Sequence, residues 1–151
     1  MVVVEVYISH PKRSTSVPSC CSPHRFINAQ LIANQLAANG HLGVMPDLFH
    51  GDPEPLNNRP ASFDLVGWLI GLLGHLPDRV ERVAQGIPRE TQSNMGYDRV
   101  DAVGYCFGTK YAVRLFQPGP CDVACVAHTS FVDAEELQAI QGPLSIAAAG
   151  N

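Results

Sequence analysis

The sequence predicts a three-layer α/β domain around a mainly parallel sheet. Three observations carry this. Beyond residue 25, apolar residues at helical spacing alternate with short, almost continuously apolar runs. Those runs lack strict in–out alternation, as expected of parallel strands covered on both faces. The chain has 151 residues, 46% apolar and 16% charged. A single domain of that size buries roughly 70% of its unfolded surface, and the composition is too apolar for a disordered segment.

The elements follow in order. Residues 1–8 form one run rich in β-branched side chains and read as a strand. Residues 9–23 hold Pro11, Pro18 and Pro23 among serines, with no periodicity, and read as loop. A helix is expected from about Arg25, with Ile27 and Leu31, then Ile32 and Leu36, four apart. Small alanines stand at 29, 33 and 37, and Gly40 sits where a helix-ending glycine belongs. Residues 41–46 read as a buried strand and 47–60 as a long loop. Leu65, Trp68, Leu69, Leu72 and Leu76 make a helical stripe over 65–76, weakened at Gly71 and Gly74. Pro77 opens another helix, with Val80, Val83, Ala84 and Ile87 on one face. Pro88 is expected to end or kink it. Then come a strand over 100–105, a helix over 109–116 and a strand over 122–127. A helix over 133–140, with Asp133 and Glu136 placed as a capping box, precedes a strand over 144–149.

Composition excludes several function classes. Ten basic and 14 acidic residues give a net charge of −4. No block of Lys or Arg could follow a phosphate backbone, so no nucleic-acid partner is expected. The longest apolar stretch, 12 residues over 65–76, is short of the ~20 that cross a bilayer, so no membrane partner is expected. Five unevenly spaced cysteines do not make a disulfide framework, and the first residues lack a basic leader. A reducing, cytoplasmic setting is the expectation.

The sharpest local feature is Gly104-Tyr105-Cys106-Phe107-Gly108, between an expected strand and an expected helix. A nucleophile elbow needs that context. The turn holds the nucleophile in a strained conformation, and a Cβ at either glycine would crowd the helix. The Phe107 backbone N–H, at the helix start, is placed to donate to a developing oxyanion. The helix N-terminus also favours a thiolate at Cys106. The competing reading is a small buried cysteine at a tight turn. A hydrolase also needs a base and an orienting acid. The one histidine after Cys106 is His128, directly after the strand over 122–127. It reads as a structural or pocket-rim residue.

Several blocks together resemble the dienelactone hydrolase family in its fungal branch. They are the 25–40 helix with Val44-Met-Pro-Asp-Leu-Phe-His-Gly-Asp-Pro, then Val103-Gly-Tyr-Cys-Phe-Gly-Thr-Lys-Tyr. Ala127-His-Thr-Ser-Phe-Val-Asp-Ala-Glu-Glu-Leu and Gly142-Pro-Leu-Ser-Ile-Ala-Ala-Ala continue the pattern. The resemblance runs from about His24 to Ala149 and divides the chain into a divergent 1–23 segment and a 24–151 hydrolase domain. It implies an α/β-hydrolase fold and a Cys-His-Asp triad. The implied activity is hydrolysis of an enol-lactone such as dienelactone, or a related lactone or ester. Cys106 carries over as nucleophile and the Phe107 N–H as an oxyanion donor. No metal or organic cofactor is implied.

The family's acid lies just after the strand matched by 144–149, and its histidine further on. Gly150 and Asn151 stand there, so neither is expected in this chain. Ser19-Cys-Cys-Ser-Pro replaces the family's loop carrying a second oxyanion donor and an acidic residue. Thr129 stands where proline is usual. The expectation is a truncated, partial α/β-hydrolase with an unrelated leader, little turnover, and a sheet edge open to self-association. The alternative is a non-catalytic remnant or a binding module.

Tyr105, beside the nucleophile, is a candidate substrate contact. Asp47 and His50 follow a strand's C-terminal end, where α/β ligand sites collect. They read either as a pocket rim or as loop-closing hydrogen bonds. Cys20, Cys21 and His24 lack the second pair a zinc finger needs. Cys121 and Cys125 read as core cysteines, and Trp68 as packing.

Overall fold

The computed structural model describes residues 4–11, the main chain of 17–21, and residues 24–55, 59–71, 75–117 and 119–148. The strands are β1 (Val6–Ser9), β2 (Val17–Cys21), β3 (Gly43–Pro46), β4 (Val100–Tyr105), β5 (Val123–Ala127) and β6 (Leu144–Ala147). The helices are α1 (Ile27–Ala38), α2 (Leu65–Ile70), α3 (Pro77–Ser93), α4 (Gly108–Phe116) and α5 (Ala134–Gln138). Six strands make one sheet in the order β1-β3-β2-β4-β5-β6. β1 pairs antiparallel with β3, and every other pairing is parallel.

Alternation along β4 sets the layers. Val100, Ala102 and Gly104 are buried, and Val100 and Ala102 pack in the main core with Val80, Val83 and Ala84 of α3 and Tyr111, Val113 and Leu115 of α4. Tyr105, one residue on, points to the other face and packs with Ala29 and Met45. α1 therefore covers one side, while α3 and α4 cover the other. Period-two geometry requires this split of neighbouring side chains.

α1 reaches the sheet through Ala29, Ala33 and Ala37, while Ile27 and Leu31 are 59% and 56% exposed. The small residues, rather than the Ile/Leu pairs, make the buried stripe, because the helix lies close to the strands. Gly43 shows how close: a Cβ there would sit 3.2 Å from the Ala33 carbonyl oxygen. At the end of α1, Gly40 adopts φ +95°. The Gly40 N–H bonds the Ala37 carbonyl and the His41 N–H that of Leu36. This is a Schellman ending, and it requires the left-handed residue that Gly40 supplies.

Four expectations need correction. Residues 9–23 are not all loop: β2 lies between β3 and β4, in register with β4 from Val17↔Val100 to Cys21↔Gly104. Pairing from both neighbours overrides its weak strand propensity. The stripe over 65–76 yields only the six-residue α2, which buries no residue. Gly71 ends it in extended backbone, and residues 72–74 fall outside the described residues. Pro88 does not end α3, which runs five residues beyond it with Pro88 itself buried. Packing of that face against the core outweighs the lost donor. Cys125 is not a core cysteine, because the alternation along β5 turns it outward. Cys121 is buried and Cys125 exposed. Burial pushes the Cys121 thiol up to about 12.

Candidate active site

Cys106 stands at the corner where β4 ends and α4 begins, with its sulfur exposed. Its φ is +48°, a left-handed conformation that a residue bearing a Cβ adopts only at a cost. Two main-chain bonds hold it there. The Cys106 N–H donates to the Ala127 carbonyl at 3.1 Å, and the Thr109 N–H to the Cys106 carbonyl at 3.0 Å. Gly104 makes the corner possible. A Cβ there would meet the Ala112 Cβ at 2.8 Å, the Gly108 carbonyl oxygen at 2.8 Å and the Thr109 Cα at 2.9 Å. Phe107 is the N-cap of α4, where first-turn amides lack intrahelical acceptors.

The second wall comes from the segment after β5. His128 and Phe131 are also left-handed, at φ +53° and +61°. This double reversal brings the Ser130 Oγ to 3.6 Å from the Cys106 Sγ. The His128 N–H donates to the Ala147 carbonyl at 3.1 Å, and its side chain is exposed.

Lys110 pins that segment. Its ammonium donates to the Phe131 carbonyl at 2.7 Å, to Asp133 Oδ2 at 2.8 Å and to Glu136 Oε2 at 3.1 Å. Glu136 also accepts from Arg114 Nε at 2.6 Å, and Arg114 reaches Glu81 on α3 at 2.6 Å. Burial pushes the Glu136 carboxyl up, but the Asp133 N–H, Arg114 and Lys110 together hold it below its ordinary value. The capping box of Asp133 and Glu136 forms as expected and shares its carboxylate with this network.

A cavity of about 250 Å³ is walled by Leu69, His75, Leu76, Phe107, Tyr111 and Phe131, the chain neighbours Phe107 and Phe131 linking it to Cys106 and Ser130. Phe107 is its hinge, with ring centroids 5.2 Å from Phe49, 5.3 Å from Tyr111 and 6.5 Å from Phe131. Behind it, Trp68 stacks at 4.2 Å from His75, so Trp68 packs. His75 is 1% exposed, with Nε2 3.4 Å from Asp52 Oδ2. Burial pushes its ring below the ordinary histidine value, and Asp52 only partly opposes this.

The remaining sequence candidates stand apart from this cavity. The Asp47 carboxylate accepts from the Phe49 N–H at 3.0 Å and the Gly51 N–H at 2.6 Å, closing its own loop. His50 joins Asp47 and Glu5 around a different hollow. Tyr105 packs on the α1 side. Sequence reasoning missed Ser130, Lys110 and His75. The available signal for Lys110 was a pair of cations, Lys110 and Arg114, four apart on the helix over 109–116.

Residues 24–151 match the family model described as the dienelactone hydrolase family. The chain belongs to the dienelactone hydrolase family. It is 44% identical to hydrolase pyvD of Aspergillus violaceofuscus, over 96% of this chain and 60% of that protein. It is equally 44% identical to hydrolase tropI of Talaromyces stipitatus, over 97% of this chain and 61% of that protein. The chain thus spans about three-fifths of the length of those relatives. Among solved structures it resembles an alpha-beta serine hydrolase homologue from Coxiella burnetii, with a TM-score of 0.60 at 15% identity. That likeness covers 97% of this chain and 81% of the other, and it shows a partial α/β-hydrolase fold. Among the described residues, no helix is long and apolar enough to cross a membrane.

Proposed function

We propose that this chain carries the nucleophile half of a lactone or carboxylic-ester hydrolase site, with Cys106 as nucleophile and residues 104–108 as its elbow. The observation that supports it best is the exposed sulfur of Cys106 on a left-handed residue between β4 and α4. The thiolate attacks the carbonyl carbon, and the Phe107 N–H takes a share of the oxyanion charge. Collapse breaks the carbonyl carbon–oxygen bond and expels the alkoxide or enolate, which takes a proton from water, and a water molecule then hydrolyses the thioester to the acid and the free thiol. These steps ask for no metal or organic cofactor. The free thiols at 106, 121 and 125 suit a reducing, cytoplasmic setting.

Among the described residues, the side chain that meets the Cys106 sulfur is the Ser130 hydroxyl, not a histidine or a carboxylate. Without a base at the sulfur, deacylation is the slow step, and the activity is impaired relative to a complete triad. The test is p-nitrophenyl acetate with the protein and with Cys106→Ala. The expected result is one equivalent of nitrophenolate released quickly, then slow turnover, both lost in the variant. Release that persists in Cys106→Ala would overturn the proposal.

A second reading, an association module, is favoured by β6. It is an edge strand of the described sheet, with Ser145, Ile146 and Ala147 exposed. The strand itself, Leu144–Ala147, carries no charged side chain to protect that edge. Sedimentation should then show self-association that Ile146→Lys weakens. A monomer at all concentrations would remove this reading.

A further inference from the structure

We infer that the cavity walled by Phe107 and Phe131 takes an uncharged ring or short hydrocarbon group of the substrate and rejects a carboxylate. The inference rests on the proposed Cys106 chemistry for its meaning, but on the cavity alone for its evidence. Its position ties it to the nucleophile. Phe107 follows Cys106 and Phe131 follows Ser130 in the chain, and both line the cavity, while Cys106 and Ser130 meet at 3.6 Å.

The walls are apolar. Leu69, Leu76, Pro77, Phe107, Tyr111 and Phe131 line it. An apolar void of about 150 Å³ holds one benzene ring. About 250 Å³ therefore admits a single ring with a short substituent.

The charges argue against an anion. Lys110 is the cation lining the cavity, and its ammonium already faces the Phe131 carbonyl, Asp133 and Glu136. An ammonium has three N–H donors, and all three are used. The Asp133 carboxylate also lines the cavity and would repel a second carboxylate. His75 adds no positive charge at neutral pH, because burial favours its neutral ring. A bound carboxylate would thus lose its water shell without gaining a counter-ion, whereas a neutral ring gains burial.

The test uses Cys106→Ala, so that no ligand is consumed. Methyl phenylacetate and phenylacetate are titrated at pH 7, followed by NMR at Phe107, Leu76 and Phe131. The ester is expected to bind at least about ten-fold more tightly than the acid anion. Asp133→Asn keeps an acceptor oxygen but removes the charge, and is expected to narrow the gap by strengthening the anion. Equal or tighter binding of phenylacetate by the parent, or no binding of the ester at millimolar concentration, would overturn the inference. A gap that Asp133→Asn leaves unchanged would overturn its electrostatic basis. Turnover by the unsubstituted protein reports on Cys106 separately, so failure of that reading is distinguishable.

Discussion

The Ser130 hydroxyl lies 3.6 Å from the Cys106 sulfur, across a gap that two different strands create. Three left-handed residues, Cys106, His128 and Phe131, turn the chain so that this meeting is possible. A hydroxyl donating to a thiolate stabilises the charged, reactive form. Ser130→Ala should therefore slow iodoacetamide labelling of Cys106 at neutral pH by about five-fold, the value of one ordinary hydrogen bond. Site-resolved mass spectrometry separates this thiol from the exposed Cys125. Ser130→Thr should restore the rate, because it keeps the hydroxyl. Equal rates in all three proteins would dismiss the interaction.

Gly104→Ala should destabilise the fold by about 1–3 kcal/mol or more, as overpacking does. The new Cβ meets main-chain atoms of Gly108 and Thr109 as well as the Ala112 side chain. For that reason, adding Ala112→Gly should recover only part of the loss in urea unfolding. Full recovery would mean that the helix backbone can retreat from the sheet.

The Lys110 network makes a strong stability claim. Lys110→Met leaves the buried Glu136 short of one cation, and breaking a buried pair costs about 3–5 kcal/mol. The pH dependence has a definite sign. Glu136 is held below its ordinary value of 4.5 in the fold, so its contribution is present above about that pH. It is lost as acid carries the pH down through the lowered value. Glu136→Gln should flatten the thermal midpoint between pH 5 and lower pH. An unchanged acid limb would contradict this.

His75 acts in a higher window. Its folded-state value lies below the ordinary 6.5, chiefly through burial. The unfolded chain therefore takes up a proton first as pH falls below 6.5, and stability declines from there downwards. His50 is depressed in the same direction, again chiefly by burial. His75→Phe keeps a ring against Trp68 and should remove part of the slope between pH 7 and 5. A slope identical to the parent's would show that His75 is not the buried neutral group described here.

The sequence by itself determined the layer order, the positions of β4, α4 and β5, and the G-x-C-x-G corner. Those features are local: apolar period, glycine placement and capping residues act within a few neighbours. Gly40 ends α1 and Asp133 caps α5 for reasons visible in a short window. Tertiary structure decided the rest. Val17–Cys21 is a strand because β3 and β4 pair with it from both sides. α3 continues through Pro88 because its face is packed against the core. Asp47 and His50 lie away from the cavity, and of the two readings their place after β3 allowed, Asp47 follows the loop-closing one. Ser130 meets Cys106 across 24 residues, and Lys110 reaches Asp133 and Glu136 across 23 and 26. No sequence period encodes such contacts. They exist because parallel pairing of β4 with β5 sets two loop starts side by side, and left-handed backbone then turns the chains toward each other.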